Sequence, residues 1–266
     1  MPRFPGEGTG HYLLGWLQRL QPPVPDPGAV KPRRIFLVRH GESVANVDLR
    51  VYETVPDHRI PLTPRGHQQA RGAGEQLREL LQDERLGIYG SPFHRARQTR
   101  NEISAALDPA QIAFTHEDPR LREQEYGHLR EHGKGLEIDR EQSAYGVFYF
   151  RIPDGESGAD ALDRMTAFIG SLFRGFDDPD FPENILIVSH GLALRLFWMS
   201  WYHWNPEMFA RTRAPANCDL YTMEKQVGGR YRLTKPCPEL PESEWPASAY
   251  YQDASPQSVA EAAAGG

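Results

Sequence analysis

The chain of 266 residues lacks long apolar runs, a cysteine framework and an excess of positive charge. Its longest apolar candidate, residues 191–202, falls short of the roughly 18–20 residues that span a membrane, and it contains Arg195. Two cysteines, Cys218 and Cys237, stand 19 positions apart, a spacing typical of neither a metal site nor a redox motif. A net charge of −6 argues against a broad nucleic-acid surface, and the amino terminus lacks a signal-peptide core. We therefore expect a reduced, cytoplasmic protein with neither membrane nor nucleic acid as partner.

Composition and length are typical of a globular protein with extensions at both ends. The chain is 39% hydrophobic and 25% charged, and it is long enough for one large domain. Seven prolines lie within residues 1–33. We predict a Pro-rich N-terminal extension over 1–33 with a short helix at 11–20, a single domain over 34–235, and an irregular C-terminal extension with a disordered tail over 236–266.

Between the extensions, strand-like and helix-like segments alternate. Apolar runs predict strands at 34–38 and 184–189, and weaker patterns predict strands at 87–89 and 112–115. Helices are predicted after the Thr63-Pro64 pair, over 95–107, after Ser157 with Asp160 completing a capping box, and after Gly191. The expected inward residues are Ala70, Ala73, Leu77, Leu80 and Leu81 on the first helix and Leu162, Met165, Ile169, Leu172 and Phe173 on the third. This alternation predicts an α/β fold, a three-layer sandwich around a mostly parallel sheet, with ligands at the carboxyl ends of the strands.

Two of the predicted strands end in the same residue pair, His-Gly. The first strand runs into Arg39, His40 and Gly41, and the strand at 184–189 runs into His190 and Gly191. A neutral imidazole is a competent nucleophile toward phosphorus, and a guanidinium can bind two phosphoryl oxygens at once. Either strand end alone is equally compatible with a solvated turn. Two such ends in one α/β chain favour a site for an anion.

Two further segments carry charged groups that suit the same chemistry. The stretch SPFHRARQT places Arg95 near a predicted helix start, where a cation and free N–H groups bind anions, whereas Arg97 is expected to face water. The stretch LREQEYG carries Glu123 and Glu125, and a protonated carboxyl can release its proton to a leaving group. Composition does not separate these two glutamates. Together the four segments supply two imidazoles, two guanidiniums and a carboxyl, enough for phosphoryl transfer without metal.

The order of these motifs resembles that of the histidine phosphatase superfamily, the group that includes cofactor-dependent phosphoglycerate mutase. The resemblance runs from about Arg34 to Met223 and is carried by VRHGESVAN, LTPRGHQQA, SPFHRARQT, LREQEYG, PDGES and VSHG. It implies an α/β fold with a mostly parallel sheet and no required metal or cofactor.

The resemblance also implies a role for each residue that matches a family motif. It makes His40 the nucleophile that forms a phosphohistidine. It makes Glu123, four residues before Gly127, the acid and base in preference to Glu125. The remaining expected site residues are Arg39, Arg95 and His190 as the phosphate clamp, with Ser43, Asn46 and Gly191 as further substrate contacts.

The motifs alone do not distinguish a phosphatase from a mutase. About 25 residues link Gly127 to PDGES, shorter than in mutases, and Glu125 replaces a basic residue of the mutase motif. Its negative charge is expected to disfavour acidic sugar phosphates. The segments PDHRIPLT and WMSWYHWNPEMFA resemble plant and fungal mutase-like proteins described as broad-range acid phosphatases.

We therefore predict a phosphomonoesterase of the acid phosphatase type, acting on small phosphorylated substrates. An acidic optimum is expected because low pH favours the protonated forms of Glu123 and His190. The alternatives are a phosphoglycerate mutase and, from another class, a phosphate-binding protein without catalysis.

Overall fold

The computed structural model of the chain describes residues 32–127 and 135–241. The helix predicted at 11–20 and most of both predicted extensions lie outside these residues. Within the C-terminal stretch, Glu239 forms an isolated antiparallel bridge with Thr212. The predicted irregular C-terminal extension otherwise stays a prediction.

The described residues form one six-stranded sheet with the order β3-β2-β4-β1-β5-β6. The strands are β1 (Arg34–Arg39), β2 (Leu86–Gly90), β3 (Ile112–Glu117), β4 (Asn184–Ser189), β5 (Leu220–Lys225) and β6 (Tyr231–Leu233). The first four run parallel, and β5 and β6 join antiparallel at one edge. The expectation of a mostly parallel sheet is confirmed, and the four predicted strands are present, β4 with the predicted ends and the other three slightly longer. The strands β5 and β6 were not predicted.

Helices follow most of the strands. They are α1 (Val44–Val47), α2 (Pro64–Leu81), α3 (His94–Ala105), α4 (Gly135–Tyr145), α5 (Gly158–Gly175), α6 (Gly191–Tyr202) and α7 (Pro206–Arg211), with short 3-10 helices at Leu49–Glu53, Asp57–Arg59, Pro109–Gln111 and Pro119–Leu121. No helix in the described part of the chain is both long and apolar enough to cross a membrane.

Two helices begin where the capping residues Thr63 and Ser157 predicted. The Thr63 hydroxyl accepts a hydrogen bond from the Gly66 N–H at 3.0 Å, and Pro64 takes the first helical position. Ser157 and Asp160 form the predicted capping box, in which each side chain accepts a bond from the other residue's backbone N–H. The first turns of α2 and α5 are therefore held by local hydrogen bonds.

The sheet separates two apolar cores, so the fold has three layers. Alternate residues of β1 point to opposite faces: Ile35 and Leu37 pack with α5 and α6, and Phe36 and Val38 pack with α2 and α3. The prediction was wrong for two inward residues. Leu80 is 43% exposed, because it lies about 100° around α2 from its buried neighbour Leu81. Phe173 is 39% exposed, although its ring stacks on Trp201.

Candidate active site

The carboxyl ends of three neighbouring parallel strands bring the predicted histidines together. Strand β4 lies between β1 and β2, so His40, His190 and Ser91 follow at one edge of the sheet. The backbone N–H of His40 donates to the backbone carbonyl of Ser189 at 2.9 Å, and the centroids of the His40 and His190 rings lie 5.1 Å apart. The two His-Gly strand ends therefore form one pocket.

His40 is held as a neutral base. It is 3% exposed, and its Nδ1 lies 2.7 Å from the Gly41 carbonyl oxygen, which can only accept. The ring proton is thereby assigned to Nδ1, and the lone pair to Nε2. Arg95 Nε donates to that Nε2 at 3.3 Å. Burial, followed by the charges of Arg95 and Arg39, holds the pKa of His40 well below its usual value.

Arg95 is a buried cation with a partner that the sequence reasoning missed. Its Nη1 donates to the carbonyl oxygen of Asp57 at 2.8 Å and to the Asp57 carboxylate at 2.7 Å. Its guanidinium lies 5.1 Å from the centroid of the Phe93 ring. Asp57 lies within the stretch PDHRIPLT, but no local pattern pairs it with a residue 38 positions away. Arg97 behaves as predicted: it is exposed and pairs with Glu117 outside the pocket.

Arg39 and His190 each present a buried nitrogen that no described residue satisfies. Arg39 Nη1 donates to the Pro215 carbonyl at 2.9 Å, and His190 Nε2 pairs with the Ser91 hydroxyl at 2.7 Å. Arg39 Nε and His190 Nδ1 find no hydrogen-bond partner in residues 32–127 and 135–241. Buried polar atoms are rarely left unpaired, and a phosphoryl oxygen is an acceptor for both.

The charges around His190 oppose the expectation that it is protonated. Burial, followed by the Arg95 charge, the neighbouring His40 and the Arg39 charge, holds the pKa of His190 well below its usual value. The protein alone thus favours a neutral ring. An anion among these groups would supply the opposite charge that the protonated form needs.

The structure separates the two candidate glutamates. The half-buried carboxylate of Glu123 accepts hydrogen bonds from the N–H groups of Leu192 and Ala193 at 3.3 and 3.2 Å, in the first turn of α6. This turn follows His190 directly, and the Glu123 charge acts on Arg39. The side chain of Glu125 is exposed. The geometry therefore agrees with the family motif in favouring Glu123.

A partly buried arginine, Arg164, holds the Glu123 segment in place. Arg164 of α5 donates to the carbonyl oxygens of Arg120 and Arg122 at 2.7 and 2.9 Å and to that of Glu123 at 3.1 Å. It also pairs with both carboxylate oxygens of Glu156, at 3.0 and 2.9 Å. Sequence reasoning used PDGES, which contains Glu156, only as a motif. In the structure, Glu156 of this motif fixes the position of Arg164.

Close backbone packing supports the turn after His40. The Gly41 N–H donates to the Thr99 hydroxyl at 2.9 Å. A Cβ on Gly41 would lie 2.5 Å from the Gly66 carbonyl oxygen, and one on Gly66 would lie 2.1 Å from the Glu42 carbonyl oxygen. Real Cβ atoms do not approach so closely, so the glycines of RHG and LTPRG allow the two segments to touch.

The predicted substrate contacts Ser43, Asn46 and Gly191 are placed around this turn. The Ser43 hydroxyl and N–H both donate to Asn46 Oδ1, at 3.1 and 3.0 Å. Asn217, missed by the sequence reasoning, donates to the His40 carbonyl at 2.8 Å. A Cβ on Gly191 would lie 2.9 Å from that of Ala214. Ser43 and Asn46 thus support the turn by hydrogen bonds and Gly191 allows close packing, and contact of all three with substrate stays a prediction.

The assembled groups have the chemistry of phosphoryl transfer. A neutral imidazole faces two guanidiniums and a second imidazole, and a carboxylate stands at the edge. In the described part of the chain, no group of three or more His, Cys, Asp or Glu residues is arranged to hold a metal ion.

Comparisons with known proteins identify the family of the chain. The family model described as "Histidine phosphatase superfamily (branch 1)" matches residues 35–235. Phosphoglycerate mutase-like protein AT74H of Arabidopsis thaliana is 36% identical over 215 residues, covering 75% of this chain and 76% of the relative. Broad-range acid phosphatase DET1 of Saccharomyces cerevisiae is 27% identical over 307 residues, covering 80% of this chain and 92% of the relative.

Solved structures share the fold. The alpha-ribazole phosphatase from Shigella flexneri superposes with a TM-score of 0.57 at 26% identity, over 78% of this chain and 96% of that chain. A mycobacterial glucosyl-3-phosphoglycerate phosphatase, solved with VO3, gives a TM-score of 0.59 at 21% identity, over 78% and 100%. At 21% identity the likeness concerns the fold alone.

Proposed function

The chain belongs to the histidine phosphatase superfamily, and from this premise we propose that it is a phosphomonoesterase working through a phosphohistidine at His40. The observation that carries the proposal is the state of His40. Its Nδ1 is engaged by the Gly41 carbonyl, its pKa is held low, and the unprotonated Nε2 faces Arg95 Nε at 3.3 Å. These are the properties of an activated nucleophile.

In the first proposed step, His40 Nε2 attacks phosphorus in line with the leaving oxygen. The Nε2–P bond forms as the P–O bond breaks, and protonated Glu123 transfers its proton to the departing oxygen. Arg39, Arg95 and His190 hold the three remaining phosphoryl oxygens, where charge is redistributed in the transition state.

In the second step, water attacks the phosphohistidine while Glu123 accepts a proton. The P–Nε2 bond breaks, phosphate leaves and His40 returns to its neutral state. The low pKa of His40 supports the proposed acidic optimum, because the nucleophile stays unprotonated when the pH falls below the usual histidine range.

The mutase-like name of the plant relative raises a second candidate, a phosphoglycerate mutase primed with a bisphosphoglycerate. In a mutase the phosphohistidine returns its phosphoryl group to a second position of the substrate instead of to water. The short segment after Gly127 and the acidic Glu125 favour the phosphatase. An assay for interconversion of 3- and 2-phosphoglycerate, with and without bisphosphoglycerate, separates the candidates.

The proposal is tested by comparing the wild-type protein with His40→Asn on p-nitrophenyl phosphate. We expect turnover and an acid-labile, alkali-stable phosphoryl label in the wild type, and a loss of at least about 10³-fold in kcat with no label in the variant. The matched control is His116→Asn, which removes an exposed histidine on the edge strand β3. Turnover or labelling that survives in His40→Asn would refute the nucleophile assignment.

A further inference from the structure

The chemistry of His190 depends on which of its two ring nitrogens carries the proton. Burial and the neighbouring cations hold the pKa of His190 low, so the ring of the free protein is neutral and has one N–H. Its Nδ1 is buried and has no hydrogen-bond partner in the described part of the chain. With the proton on Nδ1, the ring donates to a phosphoryl oxygen. With the proton on Nε2, the lone pair at Nδ1 repels that oxygen.

The other nitrogen, Nε2, contacts the hydroxyl of Ser91 at 2.7 Å. Ser91 and His190 are both 0% exposed, so this contact is shielded from solvent. Ser91 follows β2 directly, and β2 pairs with β4, the strand that leads into His190. The contact therefore joins two neighbouring strand ends, and the sheet itself holds the two groups together.

The hydrogen bonds around Ser91 give this contact a direction. The Ser91 oxygen already accepts a hydrogen bond from the Phe93 N–H at 3.3 Å. The residues that the structure describes offer the Ser91 hydrogen no acceptor besides His190 Nε2. If Nε2 carried the ring proton, that hydrogen would be buried without an acceptor, and buried polar groups are rarely left unpaired. The hydroxyl therefore donates to Nε2, and the ring proton lies on Nδ1.

The start of α6 supports the same assignment. His190 is the N-cap residue of this helix, a position whose side chain often accepts a hydrogen bond from the second or third N–H of the helix. The His190 ring makes no such bond. The N–H groups of Leu192 and Ala193 donate to the Glu123 carboxylate instead. These backbone donors therefore do not require a lone pair at Nδ1.

We propose that Ser91 is a positioning residue: its hydroxyl fixes the Nδ1–H tautomer of His190, so that the neutral ring donates to a phosphoryl oxygen. The inference rests on the proposed function and goes beyond it, because it lets the second histidine bind phosphate without prior protonation. His40 has the same tautomer for the opposite use, since the Gly41 carbonyl holds its Nδ1–H and leaves Nε2 as the nucleophile. When a bound anion brings a second proton to His190, that proton enters at Nε2, where the Ser91 oxygen can accept it.

The first test observes the tautomer directly. In protein labelled with nitrogen-15 at histidine, long-range proton–nitrogen correlation spectra distinguish a protonated ring nitrogen from an unprotonated one by chemical shift. The signals of His190 are assigned by their loss in His190→Ala. We expect a protonated Nδ1 and an unprotonated Nε2 in the wild type. In Ser91→Ala, which removes the donor to Nε2, the proton should move wholly or partly to Nε2.

The matched control is Ser189→Ala. Ser189 is also 0% exposed at a strand end, but its hydroxyl donates to the Leu121 carbonyl at 2.8 Å and bonds to neither nitrogen of His190. Both substitutions remove one buried hydroxyl and one hydrogen bond, so a similar loss of thermal stability is expected. Only Ser91→Ala should change the tautomer of His190.

The second test asks whether Ser91 acts through His190. For p-nitrophenyl phosphate we expect kcat/KM to fall on the order of tenfold in Ser91→Ala, and Kd for the phosphate analogue tungstate to rise by a similar factor, because one hydrogen bond to a charged oxygen is weakened. In the His190→Ala background, the same Ser91→Ala change should lower kcat/KM less than about twofold. A residue that only supported the fold would lower activity equally in both backgrounds.

Retention of the Nδ1–H signal in Ser91→Ala, or an equal fall of kcat/KM with and without His190, would overturn the assignment. Absence of turnover by the wild type would refute the proposed function instead, and the spectra and the tungstate titration would still test the tautomer. If Ser91→Ala does not fold, Ser91→Cys replaces it, because a thiol has a similar shape but is a weak donor. The same shift of the proton toward Nε2 is expected in that variant.

Discussion

His40 and His190 are both buried and both hold a low pKa, yet their tasks differ. A low pKa suits His40, because the nucleophile must be unprotonated. The same shift leaves His190 neutral, although a protonated ring would bind phosphate more strongly. The two tasks are compatible if the substrate's own charge protonates His190. Binding of the substrate would then be accompanied by uptake of a proton by His190.

This coupling predicts how anion affinity depends on pH. A bound dianion raises the pKa of His190, so binding takes up a proton and affinity increases as the pH falls. We expect calorimetry with tungstate, a tetrahedral dianion, to show this uptake in buffers of different ionisation enthalpy near pH 7. The uptake should vanish in His190→Gln and persist in His40→Gln. Uptake that persists in His190→Gln would place the proton on another group.

The role of Glu123 is tested through the leaving group. A proton donor matters for an alkoxide, which is a poor leaving group, and matters little for p-nitrophenolate. In Glu123→Gln we expect kcat/KM for glycerol 3-phosphate to fall on the order of 10²-fold or more, and that for p-nitrophenyl phosphate to fall less than about tenfold. The exposed Glu125→Gln is the control. An equal loss on both substrates would indicate a binding role instead.

At the scale of elements, the start of α2 is built to touch the turn after β1. Gly66 and Gly72 lie on this same helix but in different surroundings. A Cβ at Gly66 would lie 2.1 Å from the Glu42 carbonyl oxygen, whereas a Cβ at Gly72 has no neighbouring atom within 4 Å. Only the first glycine is therefore required by packing.

Alanine substitutions at these two glycines should change stability in opposite directions. We expect Gly66→Ala to lower the free energy of unfolding by about 2–4 kcal/mol and to reduce kcat, because the turn that carries His40 must shift. Gly72→Ala should raise the free energy of unfolding by about 0.5–1 kcal/mol, since alanine favours the helix. Urea unfolding and activity on p-nitrophenyl phosphate measure both. A stabilised, fully active Gly66→Ala would contradict the packing argument.

At the scale of the molecule, Arg164 connects its own end of the chain to the distant segment that carries Glu123. Its guanidinium donates hydrogen bonds to carbonyl oxygens at and near Glu123 and to the carboxylate of Glu156 in PDGES. The helix that carries Arg164 packs into the core on one face of the sheet. Burial raises the pKa of Glu156, but its bonds with Arg164 outweigh this, and the net pKa is lowered. The carboxylate therefore stays charged in its pair. The position of the proposed acid depends on this connection.

Arg164→Lys keeps the charge but loses the planar fork of donors. We expect a loss of about 2–4 kcal/mol in stability and a fall in kcat that is larger than the change in KM, since Glu123 is no longer held in position. The control is Arg174→Lys at the exposed end of α5, where Arg174 binds only Ser171 in the described structure. An unchanged kcat in a folded Arg164→Lys would show that the segment is held by other contacts.

Much of the fold could be predicted because its signals are local. The strands at Arg34–Arg39 and Asn184–Ser189 each contain a run of four apolar residues, and α2 and α5 begin at side-chain caps within four residues of their start. The strand β5 was missed because it mixes buried with exposed residues, and β6 because it has only three residues. The place of β5 in the sheet comes from pairing with distant β1, which no local pattern records, and β6 pairs with β5.

The sequence by itself determined the fold class and, through motifs in a known order, the residues His40, Arg95 and His190. Only the tertiary structure decided their partners and charge states. Asp57 reaches Arg95 across 38 positions and Ser91 reaches His190 across 99, contacts that arise only when parallel strand ends meet. The neutral state of both histidines likewise depends on burial and on neighbouring cations, which are properties of the assembled pocket and of no single segment.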